Sequence, residues 1–327
     1  MKSKTKERIL SLAATTQGVK PSELAARLGI STVAVHKHLR NLQQSGALER
    51  RGRPPHVIYI IPPTSAQLPT FNLTESERAE LNESYCYFTP QGEELGGERA
   101  LATFLLQTNQ AQDPDARVRE YLNILHSAKS FEHKNGLING TDRLRSVFRD
   151  CALYRMYYSG FYSLPKYGKT KFGHYLLHAK SGQSLAMIRR LSEATASHVR
   201  AIIELHDIDA IAFAPHSIPR KIQFLKEYRK ILRISLPEIS LIKAYAGSVP
   251  VAQKSLSKLS ERIQNAQQTI FLAGESGDYR RVLIIDDALG SGATMNEIAK
   301  KLAKPGRKII GYVIVGSYKE FEVIREV

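Results

Sequence analysis

One stretch, VLIIDDALGSGAT at 282–294, constrains the fold more than any other part of the sequence. Its branched aliphatic residues predict a strand buried on both faces, which is typical of a parallel sheet covered by helices. Asp286 and Asp287 come directly after them, and a loop of small residues follows. A helical run then begins near Gly292 or Ala293, so the stretch predicts a strand, an acidic strand end, a tight loop and a helix.

The rest of 150–327 repeats this alternation of strands and helices. The predicted strands are IDAIAFA, ISLIKAY, TIFLA, VLIIDD and KIIGYVIVGSY, and the predicted helices are IQFLKEYRKIL, SLSKLSERIQNA and ATMNEIAKKLAK. Such alternation predicts an α/β fold, with a mostly parallel sheet and helices on both faces. Ligands of these sheets bind beyond the carboxyl ends of the strands, which points to the loops at 215–221 and 286–294.

The loop after the two acids has the chemistry of an anion site. Small residues let backbone N–H groups face an anion, and a helix N-terminus adds partial positive charge. Ser291 and Thr294 can donate hydroxyl groups to the same phosphate. Two carboxylates repel a phosphate unless a neutral or cationic group lies between them, a need that ribose hydroxyls or Mg²⁺ meet. A P-loop is excluded because no Gly-Lys-Ser/Thr follows.

Together, the strand, acids and loop resemble the PRPP-binding motif of type I phosphoribosyltransferases. The resemblance implies that the two acids contact ribose hydroxyls, that 290–294 hold the 5′-phosphate, and that Mg²⁺ arrives with PRPP rather than in a direct protein cage. Gly290 departs from the motif, since Thr is usual there. The residues implied to bind PRPP are Asp286, Asp287, Ala288, Leu289, Gly290, Ser291, Gly292, Ala293 and Thr294.

A second resemblance is to the competence-protein-F (ComF-like) branch of that fold. It rests on the order Q-x-x-L-x-x-x-x-E-R-x-x-N-A, formed by Gln253, Leu256, Glu261, Arg262, Asn265 and Ala266. It implies a domain over 150–327 with a variable hood at about 157–180. It also implies flexible-loop candidates, namely Gln253, Lys254 and Arg262, and pyrophosphate-loop candidates, namely Pro215, His216, Ser217, Arg220 and Lys221. A solvated basic turn is the alternative reading of Arg220 and Lys221. The branch's Arg-Gly-Phe-Asn and its cysteine-rich zinc finger are missing.

Charge is distributed unevenly along the chain. The formal net charge is +16. Residues 1–61 hold eleven Lys or Arg and three Glu, whereas 71–120 hold four Arg and ten acids. The change of sign predicts a domain boundary, and the basic first segment favours a polyanionic partner.

Residues 1–61 read as three short helices followed by a hairpin. Ile9 and Ala13 lie on the stripe of the first helix, Pro21 begins the second, and Ser31 is the predicted N-cap of the third. The third helix buries Val35, Leu39 and Leu42, which recur at helical spacing. A strand, a turn at Gly-Arg-Pro-Pro and a returning strand complete the segment.

This segment resembles the winged helix-turn-helix of bacterial transcriptional regulators. The resemblance implies that the third helix enters the DNA major groove and that the wing contacts phosphate or the minor groove. The DNA-binding candidates are Ser31, Thr32, His36, Lys37, Arg40, Arg50, Arg51 and Arg53. A solvated helical domain used for protein contacts is the alternative. We reject a metal site at His36 and His38, since i and i+2 do not share a helix face.

Between the two domains, 62–71 contains three prolines and predicts a linker. Residues 72–149 predict a helical segment that serves as a spacer, a small subdomain or a dimerisation element. A reader of palindromic DNA usually requires a dimer, so we favour a homodimer.

Composition excludes several other classes. The chain has no apolar run near the ~20 residues that span a bilayer, and its start lacks the apolar core of a signal peptide, so we expect a cytoplasmic protein with no membrane partner. Two distant cysteines, Cys86 and Cys151, argue against a zinc site or a disulfide framework.

The favoured hypothesis is a transcriptional regulator that binds DNA and senses PRPP or a related phosphoribosyl nucleotide. An active phosphoribosyltransferase with an accessory DNA-binding domain is one alternative, although no catalytic residue is identified. A ComF-like DNA-uptake factor is the other.

Overall fold

The computed structural model describes residues 2–16, 18–62, 68–133 and 135–318. The chain divides into two compact units, Met1–Leu68 and Pro69–Val327. This division falls inside 62–71, which we predicted as a linker and of which 63–67 lie outside the described ranges. In the described part of the chain, no helix is long and apolar enough to cross a membrane.

The first unit contains the predicted three helices and hairpin. Its elements are α1 (Lys2–Thr15), α2 (Pro21–Leu28), α3 (Thr32–Gln44), β1 (Glu49–Arg53) and β2 (His56–Ile60). Its core is built around Ile9, Val35 and Leu39, each of which is 0% exposed. The spacing of apolar residues therefore identified the buried faces of the helices correctly.

Local residues set the bounds of these helices. Gly29 takes a left-handed φ of 65° at the end of α2 and donates its N–H to the carbonyl of Ala25. The Oγ of Ser31 accepts the N–H of Ala34 at 3.3 Å and caps α3. Val19 and Tyr59 exchange two backbone hydrogen bonds of 2.8 Å, which extends the hairpin sheet. We did not predict this pairing because one extended residue carries no periodicity.

The second unit has helices and strands in alternation. The helices are α4 (Glu75–Ser84), α5 (Gly97–Gln107), α6 (Pro114–Lys129), α7 (Thr141–Val147), α8 (Lys171–Lys180), α9 (Leu185–His206), α10 (Phe224–Leu232), α11 (Leu259–Thr269) and α12 (Ala293–Leu302). The strands are β3 (Cys86–Phe88), β4 (Glu94–Gly96), β5 (Ile138–Asn139), β6 (Arg155–Phe161), β7 (Ser163–Leu164), β8 (Gly168–Lys169), β9 (Ala210–Phe213), β10 (Leu241–Lys243), β11 (Ile270–Leu272), β12 (Arg281–Ala288) and β13 (Lys308–Gly316). A 3₁₀ turn, Gln253–Ser255, precedes α11.

The central sheet has the strand order β5-β6-β13-β12-β9. All neighbours are parallel except β5, which runs antiparallel to β6. Along β12, Val282 and Ile284 belong to one core, and Leu283 and Ile285 belong to the other. Residues of α7, α11 and α12 fill the first core, and residues of α8, α9 and α10 fill the second. The predicted α/β class, with a mostly parallel sheet and helices on both faces, is confirmed.

The structure corrects the extent of the predicted hood. Residues 157–161 of the segment 157–180 lie inside β6, in the interior of the sheet. Tyr157 and Tyr158 point into opposite cores, as neighbours on a strand must. Aromatic residues suit a buried strand as well as a covering segment, so composition did not separate the two. The remaining 162–180 contain the β7-β8 hairpin and α8.

The helices α4 to α7 pack against one face of the sheet, whereas Cys86 and Leu137 belong to the core on the other face. Leu101 and Leu105 of α5 and Val118 of α6 are 0% exposed and share a core with β12. The sheet itself begins at Ile138, ahead of residue 150, where we predicted the domain to start. Acidic and basic residues interrupt the apolar residues along these helices, and this obscured the buried stripes in the sequence.

Two predicted strands lie outside the central sheet. β10 and β11 pair with each other in an antiparallel ribbon, with Ile242 opposite Phe271. The chain touches the central sheet just before β10, where the N–H of Ile239 donates to the carbonyl of Ile211 at 2.8 Å. A short apolar run predicts a strand but not its partner, which is why the sequence did not separate the ribbon from the sheet.

Candidate functional site

The acidic motif lies at the carboxyl end of β12, which has a parallel neighbour on each side. The N–H of Leu289 donates to the carbonyl of Val315 at 2.9 Å and holds the loop against β13. The chain then turns at Gly292 into α12. The end of β12, the loop and the start of α12 line a cavity of about 690 Å³, a volume typical of small-molecule sites.

The structure brings most of the predicted ligand residues to this cavity. It is lined by all the PRPP-binding candidates, namely Asp286, Asp287, Ala288, Leu289, Gly290, Ser291, Gly292, Ala293 and Thr294. Pro215, His216, Ser217 and Arg220 also line it, as do Gln253 and Arg262. Lys221 is exposed and lies outside the lining. The side chain of Lys254 lies outside the described residues.

Gly292 is the residue that lets the loop turn into the helix. It has a φ of 80°, which L residues rarely adopt, and it is buried. A Cβ at this position would lie 2.3 Å from Cδ1 of Leu144 and 3.2 Å from Cε2 of Phe148. Gly290 differs, since its Cβ would meet only Nη1 of Arg262, at 3.8 Å. The backbone therefore requires glycine at 292 but not at 290.

We expect Gly292→Ala to lower the free energy of unfolding of the second unit by about 1–3 kcal/mol, because it combines backbone strain with close packing. Gly290→Ala is the matched control, and it should change this free energy by less than about 0.5 kcal/mol. Urea denaturation of the two variants measures both effects. Equal stability of the variants would contradict the assignment.

The two acids are held in different environments. Asp287 is 14% exposed, and both of its carboxylate oxygens lie 2.9 Å from Nζ of Lys180. The N–H of Asp287 donates to Oδ1 of Asp286 at 2.8 Å. Burial and the charge of Asp287 raise the pKa of Asp286 to about 7, and nearby Lys180 and Lys243 oppose the rise. One acid is therefore neutralised by a cation, while the other can hold a proton near neutral pH.

This pKa predicts a pH dependence of stability. The pKa of Asp286 is raised from 3.8 to about 7 by folding, so between these values the folded state holds a proton that the unfolded state releases. Its contribution to stability is complete below about pH 4 and is lost as the pH rises through 7. Asp286→Asn removes this titration. The unfolding free energy of the variant minus that of the wild type should therefore increase from about pH 4 to 7 and level off above 7. Denaturant titrations over this range measure the difference, and a flat or decreasing curve would contradict the prediction.

Lys243 connects three segments near the cavity. Its Nζ lies 3.1 Å from Oγ of Ser217 and 3.1 Å from Oδ1 of Asn265. Burial lowers its pKa to about 8, and the charge of Asp286 opposes this effect. Tyr245 donates its hydroxyl to the carbonyl of Ser217 at 2.8 Å. These contacts fix the loop 215–221 against β10 and α11.

A further contact joins that loop to Lys180, since the guanidinium of Arg220 donates to the Lys180 carbonyl. Lys180 thus joins both loops at the carboxyl edge of the sheet. We did not predict Lys180 or Lys243, because neither stands in a recognisable motif. The one available signal for Lys243 was its position at the carboxyl end of an apolar run.

The first unit presents a polar surface on α3 and the wing. Thr32, His36, Lys37 and Arg40 of α3 are exposed. Ser31 is also exposed, although its Oγ already caps the helix. Val33 was not predicted, yet 78% of it is exposed. A valine on this face can contact a thymine methyl group in a major groove.

In the wing, the three predicted arginines differ in their exposure and in their ion pairs. Arg50 and Arg53 are exposed. Arg51 is only partly exposed and pairs with Glu49 at 2.9 Å. Arg50 and Arg53 are therefore the better candidates for phosphate contacts.

Comparisons with known proteins support the first unit. The family model described as winged helix-turn-helix DNA-binding matches residues 2–49. No curated protein matches the chain. Among solved structures, a hypoxanthine phosphoribosyltransferase from Staphylococcus aureus matches with 14% identity and a TM-score of 0.26, over 39% of this chain and 61% of that one. We draw nothing from so low a similarity.

Fold and family match agree on the class of the first unit, a winged helix-turn-helix. This class indicates DNA binding. The second unit is a mixed α/β domain with a mostly parallel sheet and a cavity at the carboxyl edge of that sheet.

Proposed function

We propose that the protein is a DNA-binding transcriptional regulator whose second unit binds PRPP, or a related phosphoribosyl nucleotide, as its effector. One observation supports ligand binding by the second unit: two acids, a loop of small residues and the N-terminus of α12 all line one cavity. Ribose hydroxyls donate to the carboxylates in this arrangement, and the phosphate accepts from the loop and the helix N-terminus.

The charges near the acids favour a sugar over a bare metal ion at this position. Lys180 already neutralises Asp287, and a proton competes for Asp286 near pH 7. Mg²⁺ prefers several oxygen ligands and keeps its waters, so it would enter with the pyrophosphate oxygens of PRPP. Asp286 and Asp287 would then face the ribose.

Regulation requires that effector and DNA binding influence each other's affinity. A homodimer supplies a simple route, because two recognition helices must match the spacing of two half-sites. An effector that alters the dimer alters this match. The oligomer and the coupling are both part of the proposal.

The test is a mobility-shift and footprinting assay of the full chain on the DNA upstream of its own gene, with and without PRPP–Mg²⁺. We expect a protected duplex site whose affinity changes at least fivefold with PRPP, within the usual range of allosteric coupling. Sequence-independent binding that PRPP leaves unchanged would refute the proposal.

The same preparations address the alternatives. Release of pyrophosphate when PRPP and a nucleobase are supplied would identify an active phosphoribosyltransferase. A strong preference for single-stranded DNA over duplex would favour a DNA-uptake role. Either result would overturn the assignment as a regulator if the upstream duplex were not bound specifically.

A further inference from the structure

A buried arginine lies against the loop 289–292 and has no anionic partner among the described residues. Arg262, in the first turn of α11, is 5% exposed and lines the cavity. Its Nε donates to the carbonyl of Leu256 at 2.8 Å, whereas its Nη2 is buried with no hydrogen-bond partner. Its Nη1 lies 3.8 Å from the position that a Cβ would take at Gly290.

Such a guanidinium is costly in the absence of a ligand. A buried N–H without an acceptor loses its hydration and gains nothing in return, and the penalty is larger for a charged group. Burial also lowers the pKa of Arg262, and no described carboxylate forms an ion pair with it. Gln253 holds the backbone of Arg262 in place, since its Nε2 donates to the Arg262 carbonyl at 3.0 Å.

Gly290 keeps the path from this guanidinium to the cavity open. Its backbone does not require glycine, because its φ lies outside the left-handed region and a Cβ there would approach only Nη1 of Arg262 among the described residues. This contrasts with Gly292, whose φ of 80° does require glycine. Glycine at 290 therefore leaves space for the guanidinium. It is not required by the backbone conformation.

We propose that Arg262 reaches past Gly290 to bind the 5′-phosphate of the ligand. This contact makes the site selective for a sugar that carries a phosphomonoester. This inference rests on the proposed function, since it concerns the same cavity. The α12 N-terminus and the guanidinium approach the phosphate from two elements. The arginine supplies charge-assisted hydrogen bonds where the loop has no side-chain hydroxyl at 290.

The test is isothermal titration calorimetry of the full chain with ribose 5-phosphate and with PRPP–Mg²⁺. Arg262→Gln should weaken both ligands by about 10- to 100-fold, the effect of losing hydrogen bonds from a charged donor to a phosphate. Arg262→Lys should recover part of the loss, because it restores the charge without the planar fork. Arg189→Gln is the matched control, because Arg189 is exposed and lies outside the cavity lining. It should change either affinity by less than about threefold.

A second variant keeps Arg262 and closes its path. Gly290→Val places a side chain between the guanidinium and the cavity, and it should reproduce the weakening seen with Arg262→Gln. Thermal unfolding without ligand separates binding from folding. Because Arg262→Gln removes an unpartnered buried donor, its melting temperature should equal or exceed that of the wild type, which a purely structural role for Arg262 would not allow.

The outcomes separate the two proposals. If the wild type binds neither ligand, the proposed function fails and this inference fails with it. If the wild type binds both ligands and the Arg262→Gln and Gly290→Val variants bind them equally well, the role of Arg262 is refuted and the proposed function stands.

Discussion

Replacing Asp286 and Asp287 together by asparagine is expected to remove the stabilisation of the second unit by PRPP–Mg²⁺. In the proposed complex each carboxylate accepts a hydrogen bond from a ribose hydroxyl. A hydrogen bond to a charged group contributes about 1.5–3 kcal/mol, so losing two of them weakens binding by roughly 10²- to 10⁴-fold. Asparagine retains the shape of each side chain, so the loop 289–292 and α12 remain in place.

Differential scanning fluorimetry with increasing PRPP–Mg²⁺ measures the effect. The wild type should melt at a higher temperature as ligand increases, as mass action requires, and the double variant should not. The control is Asp142→Asn with Asp278→Asn, which removes two fully exposed acids from the same unit. It should keep the wild-type shift, and loss of the shift in this control as well would mean that net charge is responsible rather than the site.

Without ligand, the two acids have separate effects on stability. Asp286→Asn alone removes an unfavourable ionisation above pH 7, whereas Asp287→Asn leaves Lys180 without its carboxylate. Lys180 is 22% exposed in its side chain, so water can partly replace the lost partner. We therefore expect the unliganded double variant to remain folded, which makes its loss of response interpretable.

Periodicity explains why much of this fold was predictable. The strands β9, β12 and β13 each contain an uninterrupted apolar run, and α12 begins after a loop of small residues. The hydrophobic pattern and the turn residues therefore predict the same elements. In the first unit, Val35 and Leu39 recur at helical spacing and are fully buried. The sequence alone also places Asp286 and Asp287 at the end of a strand. This position predicted one edge of the cavity.

What the sequence did not reveal was pairing over long distances. Lys180 meets Asp287 across more than one hundred positions, and no local pattern encodes that contact. The same holds for β10, whose partner is β11 rather than the central sheet. The buried state of Arg262 was equally hidden, because a helix of mixed polarity gives no sign of which face lies beneath the loop at Gly290.

The distribution of charge is consistent with the two different ligands that we propose for the two units. The first unit carries exposed cations on α3 and the wing, which suit a phosphate backbone. In the second unit, two of the cations that line the cavity are engaged or enclosed: Lys180 pairs with Asp287, and Arg262 is 5% exposed. Enclosed cations suit a small phosphorylated ligand, because a long polyanion cannot reach them.

Reversing the charge of Lys37 and Arg40 on α3 is expected to weaken DNA binding by at least 100-fold at moderate salt. Both side chains are exposed, whereas the neighbouring Leu39 is 0% exposed, so Lys37→Glu with Arg40→Glu leaves the core intact. The variant loses two cationic contacts and also introduces repulsion from phosphate. Fluorescence anisotropy with labelled duplex DNA, repeated at several salt concentrations, measures both affinity and salt dependence.

The salt dependence distinguishes direct contact from a general effect of charge. Each phosphate contact contributes about 0.9 to the slope of log K against log salt, so the slope should decrease in magnitude by about two. Lys4→Glu with Arg8→Glu makes the same change in charge on α1, where both residues are exposed, and it should leave the slope within about 0.5 of the wild type. Equal losses of slope in the two variants would mean that the unit attracts DNA by its net charge, and that α3 is not the element in contact with the groove.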